Sequence, residues 1–310
     1  MSSTAPSVPV TRLQRDTGTA LAMVGPAVLF LLAFILVPFL YAIYLSTQNL
    51  HLGSGQPANF VGLEQYRRIL LDPDFRGDFY RALVNNATFA VVVVPVQTGL
   101  ALGIALLLNR RLRGMPIFRT FFFMPVVFPM ALVSVVWKLI YARDDVGMLN
   151  SFLRIVSLGH WQAHDFLGDP KTAMISIIAM SIWAGVGFQM VILLAGLQSI
   201  SSTLYEAASI DRANKWQQLL NVTLPGLRNT LIFVVIVTTI FSLRLFDQVY
   251  IMTAGGPQNA TTTVMYQAVT IAFQNGNVGN ASAMTVIFFI IVLIIALAQR
   301  RLLREEREIA

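Results

Sequence analysis

The chain of 310 residues contains no cysteine, which excludes disulfide bonds and thiol chemistry. Charged residues are also scarce, at 12% of the sequence, whereas a soluble globular domain carries about 25%. Catalytic signatures are missing as well: there is no Gly-Lys-Ser/Thr phosphate loop, no His-Glu-x-x-His and no Gly-x-Ser-x-Gly. We therefore expect that the chain is not an enzyme and has no catalytic residue, and that another subunit releases any energy it uses.

Long apolar runs dominate what the chain does contain. Hydrophobic residues make up 56% of the sequence, and the mean hydropathy is +0.67. A helix that crosses a bilayer needs about 20 mainly apolar residues. Six segments are candidates: Leu21–Leu45, Ala82–Leu108, Phe121–Tyr141, Ala173–Leu194, Leu231–Tyr250 and Ala281–Ala298. The sequence therefore predicts an all-α polytopic membrane protein with about six transmembrane helices.

The positive charges are distributed unevenly. The net charge is +7, and cations gather before the first span, after the second, after the fourth and after the sixth. They are Arg12, Arg15, Arg110, Arg111, Arg113, Arg119, Arg212, Lys215, Arg228, Arg300, Arg301, Arg304 and Arg307. Because Lys and Arg are enriched in cytoplasmic loops, both termini are predicted to be cytoplasmic. Membrane lipid, and not nucleic acid, is the partner that this pattern indicates.

The predicted organisation is one membrane domain with two short cytoplasmic ends. Residues 1–18 begin with a Ser/Thr/Pro-rich stretch, which favours an unstructured segment. Residues 19–300 form the membrane domain, with a cytoplasmic loop at 199–228, and residues 301–310 form a charged tail. Pro125 and Pro129 interrupt the third span, which is tolerated where neighbouring helices satisfy the freed carbonyls.

A polar segment, Leu204–Pro225, separates the fourth and fifth spans. Thr203 is of a type that caps helix N-termini, and Glu206 three residues later completes a capping-box pattern. Trp216 begins an apolar stripe at helical spacing. We expect two short helices that meet at Asp211–Asn214. Amphipathic helices on lipid favour Lys and Arg on their polar face; here acidic residues accompany them, so docking to a soluble partner is favoured.

This segment resembles the signature of the membrane subunits of bacterial ABC importers, Glu-Ala-Ala, three residues, Gly, nine residues, Ile, one residue, Leu-Pro. Val222 stands at the isoleucine and Arg212 at the glycine. Glycine adopts a left-handed backbone without steric cost, so Arg212 must either keep a right-handed backbone or accept strain. The resemblance implies docking on an ATPase subunit through Tyr205, Glu206, Ala207, Ala208, Asp211, Arg212, Ala213, Leu224 and Pro225.

Further motifs are similar to those of the carbohydrate-importer branch, and the long first external loop resembles its first-permease type. The motifs are Phe118–Pro125, Trp137, Gly147–Asn150, Phe246–Tyr250 and Thr253–Pro257. The resemblance implies a permease of an ATP-driven, binding-protein-dependent importer in the bacterial inner membrane, moving a sugar or oligosaccharide by alternating access. It also implies a second homologous permease, two ATPase subunits that hold ATP and Mg, an extracytoplasmic solute-binding protein, and no cofactor in this chain.

Three alternatives stay open. The same machinery could import glycerol-3-phosphate or a glycerophosphodiester. An ion-coupled secondary transporter would need an intramembrane carboxylate, for which Asp247 is the only candidate. A scaffold for a cytoplasmic enzyme would explain the polar segment but not the charges in the fifth span.

Polar residues inside the spans are candidates for the solute path, because a charge within a bilayer is costly. Arg244 and Asp247 lie three residues apart in the fifth span, and on a continuous helix they share a face and can pair. The pair either locks helix packing or lines the path. Gln189 in the fourth span bonds either to solute or to a neighbouring helix, and Tyr250 is assigned to the path with them.

The loops at the other membrane face are the predicted contact with the binding protein. Leu63–Leu70 and Asp74–Leu83 are expected to form short surface helices. The predicted contact residues are Glu64, Asp165, Gly255, Gly256, Pro257 and Gln258. His160 and His164 have a spacing that can bind a metal on a helix, but the flanking glycines favour solvated loop histidines. No metal site is expected.

Overall fold

A computed structural model of the chain describes residues 10–53, 55, 57–109, 114–144 and 147–302, with the backbone alone at 10–17 and 74. Within these ranges five helices are long and apolar enough to cross a membrane, and a bent helix pair adds a sixth span if it counts as one. The predicted all-α fold with about six spans is confirmed.

The first span is a helical rod with a wider turn in its middle. It consists of α1 (Val10–Leu31), a π-helical turn (Leu32–Leu36) and α2 (Val37–Ser46). Its most apolar stretch is not buried within the chain, whereas α2 contacts the bundle through Phe39, whose ring lies 4.6 Å from that of Phe289. The predicted unstructured segment is too long, because α1 begins within it; residues 1–9 lie outside the described part.

A short ladder and one helix lead from the first span to the second. Gln48–Asn49 (β1) pairs antiparallel with Asn59–Phe60 (β2), and α3 follows at Glu64–Leu71. The next helix, α4, is continuous over Pro73–Leu108. The prediction of a separate helix at Asp74–Leu83 is therefore wrong: proline is favoured in the first turn of a helix, and the helix that starts there continues into the span.

The third span is broken. It consists of α5 (Met115–Phe123), a 3-10 turn (Met124–Val127) and α6 (Met130–Ile140), with a bend of 97°. Pro125 lies within the 3-10 turn, and Met124 before it keeps a right-handed helical backbone. Pro129 accounts for the break, because proline has no N–H and moves the preceding residue out of the helical region. The residue before the second proline accordingly has an extended ψ of 140°. We call this bend the proline elbow.

The fourth span is the central helix of the bundle. After α7 (Met148–Val156), α8 covers Ala173–Ser199 and is buried along much of its length. A side chain at Gly187 would collide with the carbonyl of Phe122. This glycine therefore lets the broken third span lie directly against α8.

Short elements connect α8 to the fifth span. They are α9 (Ser202–Ile210), α10 (Lys215–Gln218), a π-helical turn (Leu219–Thr223) and α11 (Leu224–Gly226), and α12 follows at Arg228–Leu243. The predicted pair of short helices meeting at residues 211–214 is confirmed.

The rest of the chain completes the bundle at the end opposite to this connection. It contains α13 (Asp247–Met252), α14 (Val264–Val269), a π-helical turn (Thr270–Gln274) and α15 (Val278–Leu302). The uncharged stretch Thr253–Asn280 is therefore partly helical. Residues 303–310, most of the predicted tail, lie outside the described ranges. Because α4 packs along both α8 and α12, these three helices bound the space that holds the candidate site.

Candidate functional site

The connecting segment, residues 199–228, begins with a capped helix. Ser201 is the N-cap of α9, and its hydroxyl accepts a hydrogen bond from the backbone N–H of Thr203 at 3.3 Å. The predicted cap at Thr203 with Glu206 as its partner is wrong, because a cap-forming residue two positions earlier starts the helix. The capping box belongs to α10, where Asn214 and Gln217 each accept a hydrogen bond from the other's backbone N–H, at 2.9 and 2.8 Å.

The junction between α9 and α10 turns at Arg212. This residue has a φ of +59°, in the left-handed region, and the backbone N–H of Ala213 donates to the carbonyl of Ala208 at 2.9 Å. A left-handed residue that lets the chain fold back onto the last helical carbonyls is a common helix ending. Of the two possibilities that the sequence left open, Arg212 adopts the left-handed one, the conformation that a glycine accepts without steric cost.

The predicted docking residues divide into two groups by exposure. Glu206, Ala207, Asp211, Arg212 and Pro225 are exposed, whereas Tyr205, Ala208, Ala213 and Leu224 are partly buried. The Tyr205 hydroxyl lies 3.0 Å from the hydroxyl of Thr223. The exposed group can meet a partner directly, while Tyr205 fastens α9 to the turn that leads into α12.

A glutamine that the sequence reading did not single out holds the connecting segment together. Gln218 is buried, and its amide Nε2 donates to the carbonyl of Ala213 at 3.1 Å and to the hydroxyl of Ser209 at 3.3 Å. The backbone carbonyl of Gln218 accepts a hydrogen bond from the Thr223 hydroxyl at 3.3 Å. In the sequence, Gln218 is a polar residue inside the apolar stripe that begins at Trp216, and this pattern could have identified it. These bonds join α9, the junction and α10 into one unit.

A cavity of about 540 Å³ lies beside the middle of α8. The proline elbow, α4, α8, α12 and the start of α13 line it. The lining residues include Phe89, Val93, Gln97, Pro125, Phe128, Met130, Ser181, Ala184, Phe188, Gln189, Val234, Thr238, Phe241, Arg244, Asp247 and Gln248. Three of the predicted path residues, Gln189, Arg244 and Asp247, therefore line the same cavity.

Neutral polar groups line the inner wall of this cavity. Gln189 is buried and donates through Nε2 to the Thr238 hydroxyl on α12, so one end of this side chain joins two helices. Its Oε1 and the hydroxyl of Ser181 have no hydrogen-bond partner among the described residues. Gln97 on α4 also lines the cavity and is buried, and its amide lies against Gly185 of α8. Sequence reasoning missed Ser181 and Gln97, although Gln97 stands in an otherwise apolar run.

The fifth span breaks where it meets the cavity. Leu243 ends α12, and its carbonyl accepts a hydrogen bond from the side chain of Asn86 at 2.9 Å. The Asn86 side-chain oxygen accepts from the backbone N–H of Val264 at 3.0 Å, and the Thr263 hydroxyl donates to the carbonyl of Leu245 at 2.9 Å. Side chains from distant parts of the chain therefore satisfy the backbone groups that the break releases.

This break corrects the predicted pair in the fifth span. Arg244 is the C-cap of α12 and Asp247 is the first residue of α13, so the two do not share a continuous helix face. No ion pair joins them within the described residues. Both are exposed and face the cavity. Tyr250 is not among the cavity residues; its ring lies 5.4 Å from that of Phe246.

The predicted contacts for a binding protein differ in availability. Gly255 is buried, and a side chain there would collide with Tyr266, so it shapes its turn and presents no surface. Gly256 and Pro257 are partly buried, whereas Gln258 is exposed. Arg81 on α4 donates to the Gln258 carbonyl at 3.3 Å.

The other two predicted contacts bond within the chain. Glu64 lies 3.4 Å from the guanidinium of Arg68, in an exposed pair. The Asp165 carboxylate accepts from the backbone N–H of Gly168 at 2.7 Å. In the same loop His160 is exposed, but His164 is not the solvated histidine that was expected: its Nε2 lies 3.2 Å from the Thr172 hydroxyl and 3.5 Å from Asp169.

The chain is similar to known transport proteins along most of its length. Residues 97–307 match the family described as "Binding-protein-dependent transport system inner membrane component". The trehalose/maltose transport system permease protein MalF of Thermococcus litoralis is 33% identical over 280 residues, covering 90% of this chain and 91% of the relative. The lactose transport system permease protein LacF of Rhizobium radiobacter is 34% identical over 276 residues, covering 88% and 89%.

A solved structure has the same fold. It is a chain of a bacterial alginate ABC transporter in complex with an alginate pentasaccharide-bound periplasmic protein. The TM-score is 0.80 at 19% identity, and the match covers 95% of this chain and 96% of that one.

The left-handed backbone at Arg212 leads to a prediction for the connecting segment. Arg212→Gly should slow amide hydrogen exchange in residues 202–218 or leave it unchanged. Removing the strain of a left-handed L-residue stabilises the folded turn by about 1–2 kcal/mol, whereas the greater freedom of glycine in the unfolded chain destabilises it by about 0.5–1 kcal/mol. Arg212→Val should accelerate exchange, because β-branched residues rarely adopt this conformation. Exchange in Arg212→Val equal to that of the wild type would show that the turn does not depend on this backbone geometry.

Proposed function

This chain belongs to the family of inner-membrane components of binding-protein-dependent transport systems, and from that premise we propose that it forms part of an ATP-driven importer that moves a sugar or oligosaccharide across the cytoplasmic membrane by alternating access. The chain is a multi-pass permease that performs no catalysis itself. Its proposed partners are the solute-binding protein, a second homologous permease and two ATPase subunits that hold ATP and Mg.

The cavity is the observation that carries this proposal. It lies between the proline elbow and the break in the fifth span, two places where the helical backbone of a span is interrupted. Irregular backbone at membrane depth is tolerated where it is buried or lines a water-filled space. A partner permease that faces Arg244 and Asp247 would complete the enclosure, because a charged side chain within a membrane protein generally faces the bundle interior or a water-filled cavity.

The chemistry of the lining favours a neutral polyhydroxylated solute. Gln97, Ser181 and Gln189 provide amide and hydroxyl groups, which bond to sugar hydroxyls as donors and acceptors. Among the described lining residues the cavity has one cation, Arg244, and one anion, Asp247. Phosphate recognition typically uses clustered Arg or Lys, so a phosphorylated solute is less well matched. The names of the trehalose/maltose and lactose relatives support the same class.

The connecting segment is the proposed link to the ATPase. Its exposed residues offer a docking surface, and the bonds of Gln218 and Tyr205 make it one rigid unit. This unit continues through the π-helical turn into α12, which lines the cavity. Near the same end, a side chain at Gly196 of α8 would collide with Thr230 of α12. A displacement of the docked unit therefore reaches α8 and α12, two of the helices that line the cavity.

Glu206 provides the test of docking. Glu206→Ala should lower solute-stimulated ATP hydrolysis and uptake while the protein still inserts in normal amount. An exposed ion pair contributes only about 0–1 kcal/mol, whereas losing one partner of a buried, hydrogen-bonded charge pair costs about 2–5 kcal/mol. Glu206→Gln removes the negative charge but keeps a hydrogen-bond acceptor and nearly the same shape. It therefore separates the contribution of the charge from that of the hydrogen bond. Wild-type stimulation in Glu206→Ala would contradict the docking role.

A solute panel tests the transport proposal. The chain is reconstituted in proteoliposomes with its partner subunits and binding protein, and ATP hydrolysis is measured with disaccharides, oligosaccharides and glycerol-3-phosphate. Saccharides should stimulate hydrolysis, because the lining groups match hydroxyls. Stimulation by glycerol-3-phosphate alone would favour the phosphorylated class. Uptake driven by an ion gradient without ATP would contradict the importer itself.

A further inference from the structure

The short helix α7, between the third and fourth spans, has an apolar face with no partner in the described chain. Met148, Phe152, Ile155 and Val156 are all more than half exposed. Their spacing, at positions 1, 5, 8 and 9 of the helix, places them on one side, since residues three and four apart lie on the same helix face. This face is a continuous apolar strip.

The opposite side of α7 is fixed to the protein. Asn150 is buried and donates to the carbonyls of Ala142 and His164, both at 3.0 Å. Its side-chain oxygen accepts from the indole N–H of Trp161 and from the backbone N–H of His164, both at 3.0 Å. Leu149 packs against the buried cluster that contains Tyr141. The apolar strip is therefore held rigidly outward.

The depth of α7 follows from the length of α8. At about 1.5 Å per residue the 27 residues of α8 span about 40 Å, and the hydrocarbon core of a bilayer is about 30 Å thick. The ends of α8 therefore lie at the level of the lipid headgroups. The Tyr141 hydroxyl donates to the carbonyl of Ser176 in the first turn of α8 at 3.2 Å. The loop that holds α7 is tied to this end of α8.

Aromatic side chains support the same depth. Trp161 stacks on Phe166 at 6.4 Å, and Phe166 lies 5.8 Å from Tyr141. Trp and Tyr concentrate at both membrane–water interfaces. A polar flank accompanies the apolar strip: Ser151 borders the strip, and Arg154 follows farther round the helix, towards the side that holds Asn150. A helix with an apolar face and a basic polar edge is typical of one that lies in the plane of the interface.

We propose that α7 is an interfacial helix whose apolar strip is inserted into the lipid leaflet at the end of the bundle opposite to the connecting segment. The occupant is the boundary between headgroups and acyl chains, because the strip lies at headgroup depth and α7 follows α6 after only seven residues. The exposed apolar residues of α6, such as Leu139 and Val136, bring a lipid-facing surface to the same place. The helix thus anchors the ends of α6 and α8, both of which line the cavity. This inference does not depend on the identity of the solute.

The absence of cysteine makes a direct test possible. Phe152→Cys and Ile155→Cys on the strip, and His160→Cys in the exposed loop as the aqueous control, are each labelled with a polarity-sensitive fluorophore. The full chain is then reconstituted, with the subunits that purify with it, in vesicles of phosphatidylcholine and phosphatidylglycerol. Fluorescence quenching is measured with iodide in water and with nitroxides attached to lipid acyl chains.

The strip positions should emit at shorter wavelength than the label at His160→Cys and be quenched severalfold less by iodide. A nitroxide near the carbonyl end of the acyl chain should quench them more than one near the terminal methyl, because interfacial helices insert about 5–10 Å. Iodide quenching equal to that of the control would place the strip in water. Protection from both quenchers would show that protein covers it. Either result would overturn the proposal.

Discussion

Every backbone N–H and C=O group inside a bilayer needs a partner, and this constraint governs where the bundle can depart from regular helix. The fifth span breaks after α12, and the side chains of Asn86 and Thr263 take over the carbonyls of Leu243 and Leu245. The third span breaks at Pro125 and Pro129, where the prolines have no N–H to satisfy. Both breaks border the same cavity, so part of the irregular backbone of each span lines a shared space in the protein.

The same arrangement joins the cavity to the connecting segment. One end of α8 meets α9 through Ser201, and α12 begins where the π-helical turn and α11 end. Gln218 is buried within this connection and forms hydrogen bonds with the hydroxyls of Ser209 and Thr223 and with the carbonyl of Ala213. A rigid unit at this end would pass a displacement on to the helices, whereas a flexible loop would absorb it. The geometry therefore suits a subunit that receives a movement and converts it into a change at the cavity.

Much of this architecture could be predicted from local pattern. Apolar runs located the spans, the two prolines located the elbow, and the polar segment located α9 and α10. The expected pairing of Arg244 with Asp247 was wrong because it assumed a continuous helix. Nothing in the residues between them marks a break, since neither Pro nor Gly is present. The side chain that satisfies the carbonyl at the break belongs to Asn86, which is 157 residues away from Leu243.

Smaller differences have equally specific causes. The cap of α9 is at Ser201 and not at Thr203. Three cap-forming residues, Ser201, Ser202 and Thr203, stand in a row, and the sequence alone does not rank them. Arg212 adopts a left-handed backbone although arginine disfavours it, since the chain must fold back onto α9 there. Gly255 was expected at a surface but is buried by Tyr266. Local hydrogen bonds decide the first two cases, and a contact between separate elements decides the third.

Thiol accessibility tests most directly whether the cavity between the two breaks is the solute path. Ser181→Cys replaces a buried hydroxyl that lines the cavity, and Ser134→Cys replaces an equally buried one in α6 that does not line it. A membrane-impermeant thiol reagent should modify Ser181→Cys at a rate that changes when the assembled importer is trapped with an ATP analogue. Ser134→Cys should stay unmodified throughout. If Ser181→Cys is unreactive in every state, or reacts at one constant rate, the cavity is not the path that opens and closes.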